Sequence, residues 1–154
     1  MRTLEQAECV IEPSEDGVAL AVSARLAVID DDELIQILLS DYFQDVEMGF
    51  RFDEIRTYSD GGMFFFDPWH VEPGRFVIIL DGVLPKMDGL EVLQRLRSMK
   101  GSSEYIIVML TDRKSEQDTV MAMRLGADAY MSKPFRLAQL GETIRRLLRG
   151  DEQS

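Results

Sequence analysis

The chain has 154 residues, a formal net charge of −11, and 45% hydrophobic and 29% charged residues, a balance that suits one globular domain with a buried core. That acidity makes the domain a poor partner for the phosphate backbone of DNA or RNA, and its single cysteine, Cys9, excludes an internal disulfide and a cysteine-based zinc centre. No apolar stretch approaches the roughly 18 residues of a membrane span, and Arg2 standing among Glu5 and Glu8 argues against a secretory signal, so a reducing, cytoplasmic setting is expected.

Residues 1–23 differ from the rest of the chain. They set Glu5, Glu8, Glu12, Glu15 and Asp16 against Arg2, with breakers from Pro13 to Gly17. This predicts a flexible acidic tail with a short helix over 3–11, ahead of a folded domain over 24–150 and a C-terminal tail over 151–154. The first strand is predicted at 25–30. Asp32 is placed to cap a helix over 33–47 in which Leu34, Ile35, Leu38, Leu39, Tyr42 and Phe43 recur at helical spacing. A second strand over 52–58 leads to a short helix at 60–67, then a loop through Asp67-Pro68-Trp69-His70 to Pro73-Gly74. At least half of the aromatic run Met63-Phe64-Phe65-Phe66 should be core, with a partner-facing patch as the other use of the remainder. His70 stands alone, and no metal role is expected for it.

A third strand at 75–80 precedes a helix at 89–99, and a fourth strand follows at 105–110. Ser115 and Asp118 form a capping-box-like start to a helix over 116–125, stopped by Gly126. A fifth strand at 128–131 and a last helix at 135–149, with Leu137, Leu140, Ile144, Leu147 and Leu148 inward, complete the pattern. Five βα units joined by right-handed crossovers predict a doubly wound α/β fold: a flavodoxin-like (βα)5 parallel sheet in the order 2-1-3-4-5, with its switch point between strands one and three.

Polar residues stand where each buried run stops. Val28-Ile29 runs into Asp30-Asp31-Asp32, Ile79-Leu80 into Asp81, Met109-Leu110 into Thr111, and Met131-Ser132 into Lys133-Pro134. In an open α/β sheet such groups gather at the carboxyl ends of the strands. Acids, a hydroxyl and an ammonium meeting at one edge make a site for a divalent cation and a phosphoryl group.

Those four pieces, together with Gly82-Val83-Leu84-Pro85-Lys86-Met87-Asp88-Gly89 and Phe135, resemble the receiver domain of two-component response regulators over residues 24–149. The resemblance implies that Asp31 ligates Mg2+ directly, with Mn2+ as an alternative occupant, that Asp30 assists through water, and that the backbone carbonyl of Val83 contributes. Asp81 would be both ligand and nucleophile toward a phosphohistidine on a sensor histidine kinase or phosphotransfer protein. Lys133 would neutralise charge, and Thr111 would sense the phosphoryl group as Tyr130 turns inward. Pro85, Asp88, Gly89 and Pro134 would be structural, with Asp88 capping the third helix and the Lys133-Pro134 bond cis. The fourth helix, fifth strand and fifth helix would form the signalling surface, with a homodimer through it as one mode. The domain would be no enzyme beyond its own phosphorylation and dephosphorylation, and it would touch neither nucleic acid nor membrane.

Some residues depart from the family pattern. Asp112 stands where a small residue is common, and its extra carboxylate would weaken phosphoryl binding or strengthen metal affinity. Val83 and Arg113 offer no group to orient a hydrolytic water, which implies a long-lived phosphorylated form. The last helix carries Arg136, Arg145, Arg146 and Arg149 with Glu142 as its acid, a basic stripe expected either to be solvated and pair with nearby acids or to face a partner or second copy. Two rival readings are a pseudo-receiver acting as an unphosphorylated binding module and a phosphatase of the haloacid-dehalogenase type. The latter needs a nucleophilic aspartate where Ile79 stands. With only Asp151-Glu152-Gln153-Ser154 after Gly150, either a stand-alone receiver or a piece of a longer protein with an output domain is expected.

Overall fold

Five short apolar runs pair as one parallel sheet in the order β2-β1-β3-β4-β5. The structure is a computed structural model that describes residues 23–99, 101, 104–112 and 115–150. The helix predicted over 3–11, the acidic stretch that contains it, Arg113 and the tail 151–154 lie outside the described residues. The strands are β1 Ala24–Ile29, β2 Ile55–Tyr58, β3 Arg75–Leu80, β4 Tyr105–Thr111 and β5 Ala129–Ser132. The helices are α1 Glu33–Gln44, α2 Gly61–Phe66, α3 Gly89–Arg97, α4 Glu116–Leu125 and α5 Leu137–Leu148. The flavodoxin-like topology expected from the alternating pattern is the one observed.

Both sheet faces are covered, so the central strands have no solvated side and read as unbroken apolar runs. Ala27, Ile29, Ile78, Leu80, Ile107 and Met109 point to one core with Phe64, Trp69, Val92, Leu93, Leu96 and Ala122. Leu26, Val28, Val77, Ile79, Val108 and Leu110 point to the other, against Leu39 and Phe43 of α1 and Leu140, Ile144 and Leu148 of α5. Leu34 and Leu38, which share the helical spacing, face outward and are exposed. An amphipathic stripe is narrower than the full run of apolar residues on α1.

Side-chain oxygens set several helix starts. Asp32 accepts from the Leu34 amide at 2.9 Å, Asp60 from Met63 at 2.8 Å, and the Ser115 hydroxyl from Asp118 at 3.0 Å. Two segments differ from expectation for the same reason. The helix predicted over 33–47 stops at Gln44, because Asp45 accepts from Glu47 at 3.0 Å and begins a separate 3₁₀ turn, Val46–Met48, closed by Gly49 at φ 96°. The predicted loop after α2 contains a 3₁₀ helix, Pro68–Val71, because Asp67 accepts from Trp69 at 3.2 Å and Pro68 fits the first helical position. The ladder of β2 begins at Ile55, three residues later than predicted, and α5 begins at Leu137, after Pro134, Phe135 and Arg136.

The long β2–β3 connection is pinned from both sides. Trp69 is buried, with the guanidinium carbons of Arg56 and Arg25 4.5 and 5.7 Å from its ring centre. Arg25 also donates to the Glu72 and Pro73 carbonyls at 3.0 and 2.7 Å. His70 is buried beside Phe64, its Nδ1 bonded to the Asp67 carbonyl at 2.9 Å, and burial lowers its pKa. The basic stripe of α5 is drawn inward at Arg145, which pairs with Glu142 at 3.1 Å and donates to the Met48 carbonyl at 3.0 Å.

The aromatic run therefore divides sharply: Phe64 is 0% and Phe66 91% exposed. Phe64→Ala should cost about 3–5 kcal/mol of stability, whereas Phe66→Ala should stay within about 0.5 kcal/mol of the parent. Urea denaturation of the two variants checks the contrast, and equal losses would contradict this packing.

Candidate functional site

The site forms where β1, β3 and β5 end, because the sheet register brings their last residues side by side. Ile29 pairs with Leu80, and the Asp81 amide donates to the Ile29 carbonyl at 2.9 Å. One residue further on, Asp30 and Asp81 become neighbours. Thr111 pairs with Ser132, and the Lys133 amide donates to the Thr111 carbonyl at 2.8 Å. The lysine is thereby fed back over the centre of the sheet. The Lys133-Pro134 bond is cis.

Asp30, Asp31 and Asp81 each offer a carboxylate oxygen, and these oxygens all lie within 4.8 Å of one another. Asp30 and Asp81 are buried and Asp31 is exposed. The Lys133 ammonium lies 2.9 Å from Asp30 and 3.4 Å from Asp81. The other oxygens are taken by backbone: Asp32 donates to Asp30 at 2.9 Å and Val83 to Asp81 at 3.1 Å.

Burial, with a lesser push from Asp30, raises the Asp81 pKa to about 6, against the pull of the Val83 amide and Lys133. Burial by itself would depress Lys133, yet Asp30 and then Asp81 carry its pKa above the ordinary value. Among the described residues the charges are thus unbalanced: one ammonium, paired with Asp30 and Asp81, stands against three acids. Clustered hard oxygen donors with excess negative charge suit Mg2+, which is held by carboxylates together with water and phosphate oxygens. On this donor set the residues fit such an ion.

Thr111 is fully buried and meets the site through Gly82. A Cβ on Gly82 would sit 2.7 Å from the Thr111 hydroxyl, so a bare backbone is needed there. Gly89 is more confined still, since a Cβ there would collide with the Asp81 carbonyl and come within 2.6 Å of the Gly82 Cα. The Gly89 amide donates to the Gly82 carbonyl at 3.1 Å, which folds the loop carrying Pro85 back onto β3. Asp88 occupies the N-cap of α3 in an extended conformation, but its side chain makes no capping hydrogen bond. Asp88 thus stands at the expected N-cap, with its carbonyl accepting from the Val92 amide at 3.0 Å, while the Gly82–Gly89 contact ties the same turn to the end of β3.

Tyr130 stands opposite Met109 in the β4–β5 ladder, two residues short of Lys133's neighbour Ser132, and is half-buried against the core. Val83 turns its side chain outward, 48% exposed, and Asp112 is exposed after Thr111. Ile79 is buried among apolar side chains in β3 and carries no reactive group. Two features of this edge lie outside the sequence expectations. Gly82 was part of the family resemblance, but its close approach to Thr111 was not expected. Gln36, one helical turn past Asp32, places its side-chain nitrogen 2.6 Å from the Asp30 carbonyl, and no motif signals it.

Because the folded, cation-free protein holds the Asp81 proton more tightly than an unfolded chain with a carboxyl pKa of about 4, this stability contribution is present in acid and is lost as pH rises through about 6. Asp81→Asn should remove that dependence and stabilise the cation-free domain at pH 7.5 by on the order of 2–3 kcal/mol. Urea midpoints in a chelator at pH 5 and 7.5 test this, and a variant less stable at pH 7.5 would contradict it.

The family model for the response regulator receiver domain matches residues 26–145. The chain is 34% identical over 131 residues to the alkaline phosphatase synthesis transcriptional regulatory protein PhoP of Bacillus subtilis (strain 168), covering 85% of this chain and 51% of that one. It is also 34% identical over 129 residues to the transcriptional regulatory protein PrrA of Mycobacterium leprae (strain TN), covering 82% and 51%. The chain thus spans about half the length of these curated relatives. Among solved structures, the response regulator DrrB of Thermotoga maritima, an OmpR/PhoB homolog, superposes with a TM-score of 0.67 at 26% identity, covering 85% of this chain and 55% of that one. The sequence motifs, the sheet order and the family match agree, and the chain belongs to the receiver domain family of two-component response regulators.

Proposed function

We propose that this receiver accepts a phosphoryl group on Asp81 from a phosphohistidine of a sensor histidine kinase or phosphotransfer protein. The observation that carries the reading is the placement of Asp81 within 4.8 Å of the Asp30 and Asp31 carboxylates and 3.4 Å from the Lys133 ammonium. In the transfer an Asp81 carboxylate oxygen forms the new P–O bond as the P–N bond breaks, and the imidazole leaves with the electron pair. Lys133 offsets part of the charge that arrives. Mg2+, or Mn2+ in its place, would be held by Asp30, Asp31, Asp81 and the Val83 carbonyl, and when bound it neutralises charge on the acids and on phosphoryl oxygens.

The Thr111 hydroxyl, buried beside Gly82, is the donor that meets the new phosphoryl oxygens, and Tyr130 is the second element of the switch. The added charge biases a two-state element, and the surface of α4, β5 and α5 carries the change to a downstream protein, an output domain or a second copy. Residues 24–150 form the receiver in this reading, with 1–23 and 151–154 as tails, and the protein works in the cytoplasm. No helix among the described residues is long and apolar enough to cross a membrane.

Acetyl phosphate with Mg2+ should add one phosphoryl mass to the chain, mapped to Asp81. Asp81→Asn should abolish the gain. An unmodified wild-type chain under these conditions would favour the pseudo-receiver reading.

The surface around Asp81 also bears on how long the phosphorylated form persists. Val83 presents an exposed isopropyl group and no side-chain polar atom to an approaching water. Val83→Asn should therefore shorten the lifetime of the phosphorylated domain several-fold, measured by release of inorganic phosphate. An unchanged lifetime would count against Val83 as the cause of slow hydrolysis.

A further inference from the structure

We propose that Gln36 is a positioning residue for the cation site: its side-chain amide fixes the peptide between Asp30 and Asp31 and so aims the Asp31 carboxylate. The inference rests on the reading of Asp31 as a metal ligand.

The three acids are not held alike. Asp30 is anchored at both oxygens, by the Asp32 amide and by Lys133, each at 2.9 Å. Asp81 is anchored by the Val83 amide at 3.1 Å and by Lys133 at 3.4 Å. Asp31 is exposed, and its carboxylate makes no hydrogen bond or ion pair among the described residues. A side chain without partners is aimed only by its own backbone.

That backbone lies just past the last ladder residue of β1, Ile29. Its Asp30 carbonyl receives the Gln36 Nε2 at 2.6 Å. The same nitrogen lies 3.5 Å from the Tyr58 carbonyl and 3.4 Å from the Ser59 hydroxyl. Two of these three neighbours are carbonyls, which only accept, so the nitrogen of the amide faces them and not its oxygen. Gln36 thereby ties the exits of β1 and β2 together above the sheet.

The anchor is itself held. The Gln36 backbone N–H donates to the Asp32 carbonyl at 3.1 Å, in the first turn of the helix that Asp32 caps. With the peptide plane fixed, the Asp31 carboxylate is presented toward Asp30 and Asp81 before any ion arrives, and less conformational freedom remains to be lost on binding. Without the side-chain amide the peptide can rotate, and Asp31 spreads over orientations that leave the cluster.

Mn2+ is a suitable probe, counted free in solution by electron paramagnetic resonance with the full chain at neutral pH. Gln36→Met keeps the length of the side chain and removes the donor. Gln36→Asn keeps the amide but draws it one methylene short. Gln44→Met, an exposed change on the same helix, is the control. Both Gln36 variants should raise the Mn2+ dissociation constant roughly tenfold, in the range of losses from outer-shell partners at metal sites, while Gln44→Met matches the parent.

In the cation-free Gln36 variants, the Asp31 backbone amide resonance should also move. If Gln36→Met does not melt cooperatively, Gln36→Asn carries the test. Parental affinity in the folded Gln36 variants, or an equal loss in Gln44→Met, would overturn the positioning role and leave the receiver reading standing. Failure of the unsubstituted chain to bind Mn2+ would instead overturn the cation site and this inference together.

Discussion

Everything at the functional edge depends on a constraint visible among the described residues: one ammonium faces more negative charge than it can balance. Lys133 sits between Asp30 and Asp81, two carboxylates that burial strips of water. Desolvating a charge is costly unless it is paired, and removing the partner of a buried pair is costlier than never building one. Here the pairing is deliberately incomplete. Burial holds the Asp81 pKa near 6 despite the lysine, so the resting edge favours any added positive charge. An arrangement that simply maximised stability would have paired each acid or replaced it with an apolar side chain. This one leaves excess negative charge at the edge, which suits an added cation.

The scaffold makes that imbalance tolerable by leaving little freedom around it. Asp30 and Asp81 are successors of paired residues in adjacent strands, and Lys133 is carried by a backbone bond to Thr111. Gly82 and Gly89 bring the Asp81 loop against Thr111 and against itself at separations that a methyl group would prevent. Such close-packed backbone passes displacement on without absorbing it. Asp81, the Thr111 hydroxyl and the start of α3 are therefore mechanically one piece. The least restrained of the three acids, Asp31, faces solvent, where an ion would enter.

The sequence was most legible where chemistry and periodicity coincide. Continuous apolar runs such as Phe76 to Leu80 read as buried strands, and the polar residues ending the β1, β3 and β5 runs are the ones the fold gathers at one edge. Asp32 and Ser115 were readable as caps because a helical pattern follows each of them. Capping was harder to read where the helix it starts is only one turn long. Asp45 and Asp67 each begin a 3₁₀ turn, and neither segment is long enough to show a period. Asp88 was readable as the N-cap by type and place, but not the fact that its side chain makes no capping hydrogen bond there. The division between Leu34 and Leu39 on α1, or between Phe64 and Phe66 after β2, depends on where the neighbouring strand lies, which a pattern of residue types does not contain. Gln36 was invisible because its nearest partner is the Asp30 backbone carbonyl, which any residue at that position could have supplied.

Trp69 lies at the other end of the molecule from all of this. It packs on Phe76 near the start of β3, under the guanidinium groups of Arg25 and Arg56, where the strands enter the sheet and not where they leave it. It is also the protein's single indole. Its ultraviolet emission would consequently follow the integrity of the β2–β3 connection and the collapse of the fold, and would be nearly blind to events at the opposite rim. A spectroscopist wishing to watch that rim would have to install a chromophore there, and the native one would remain as an internal gauge of folding.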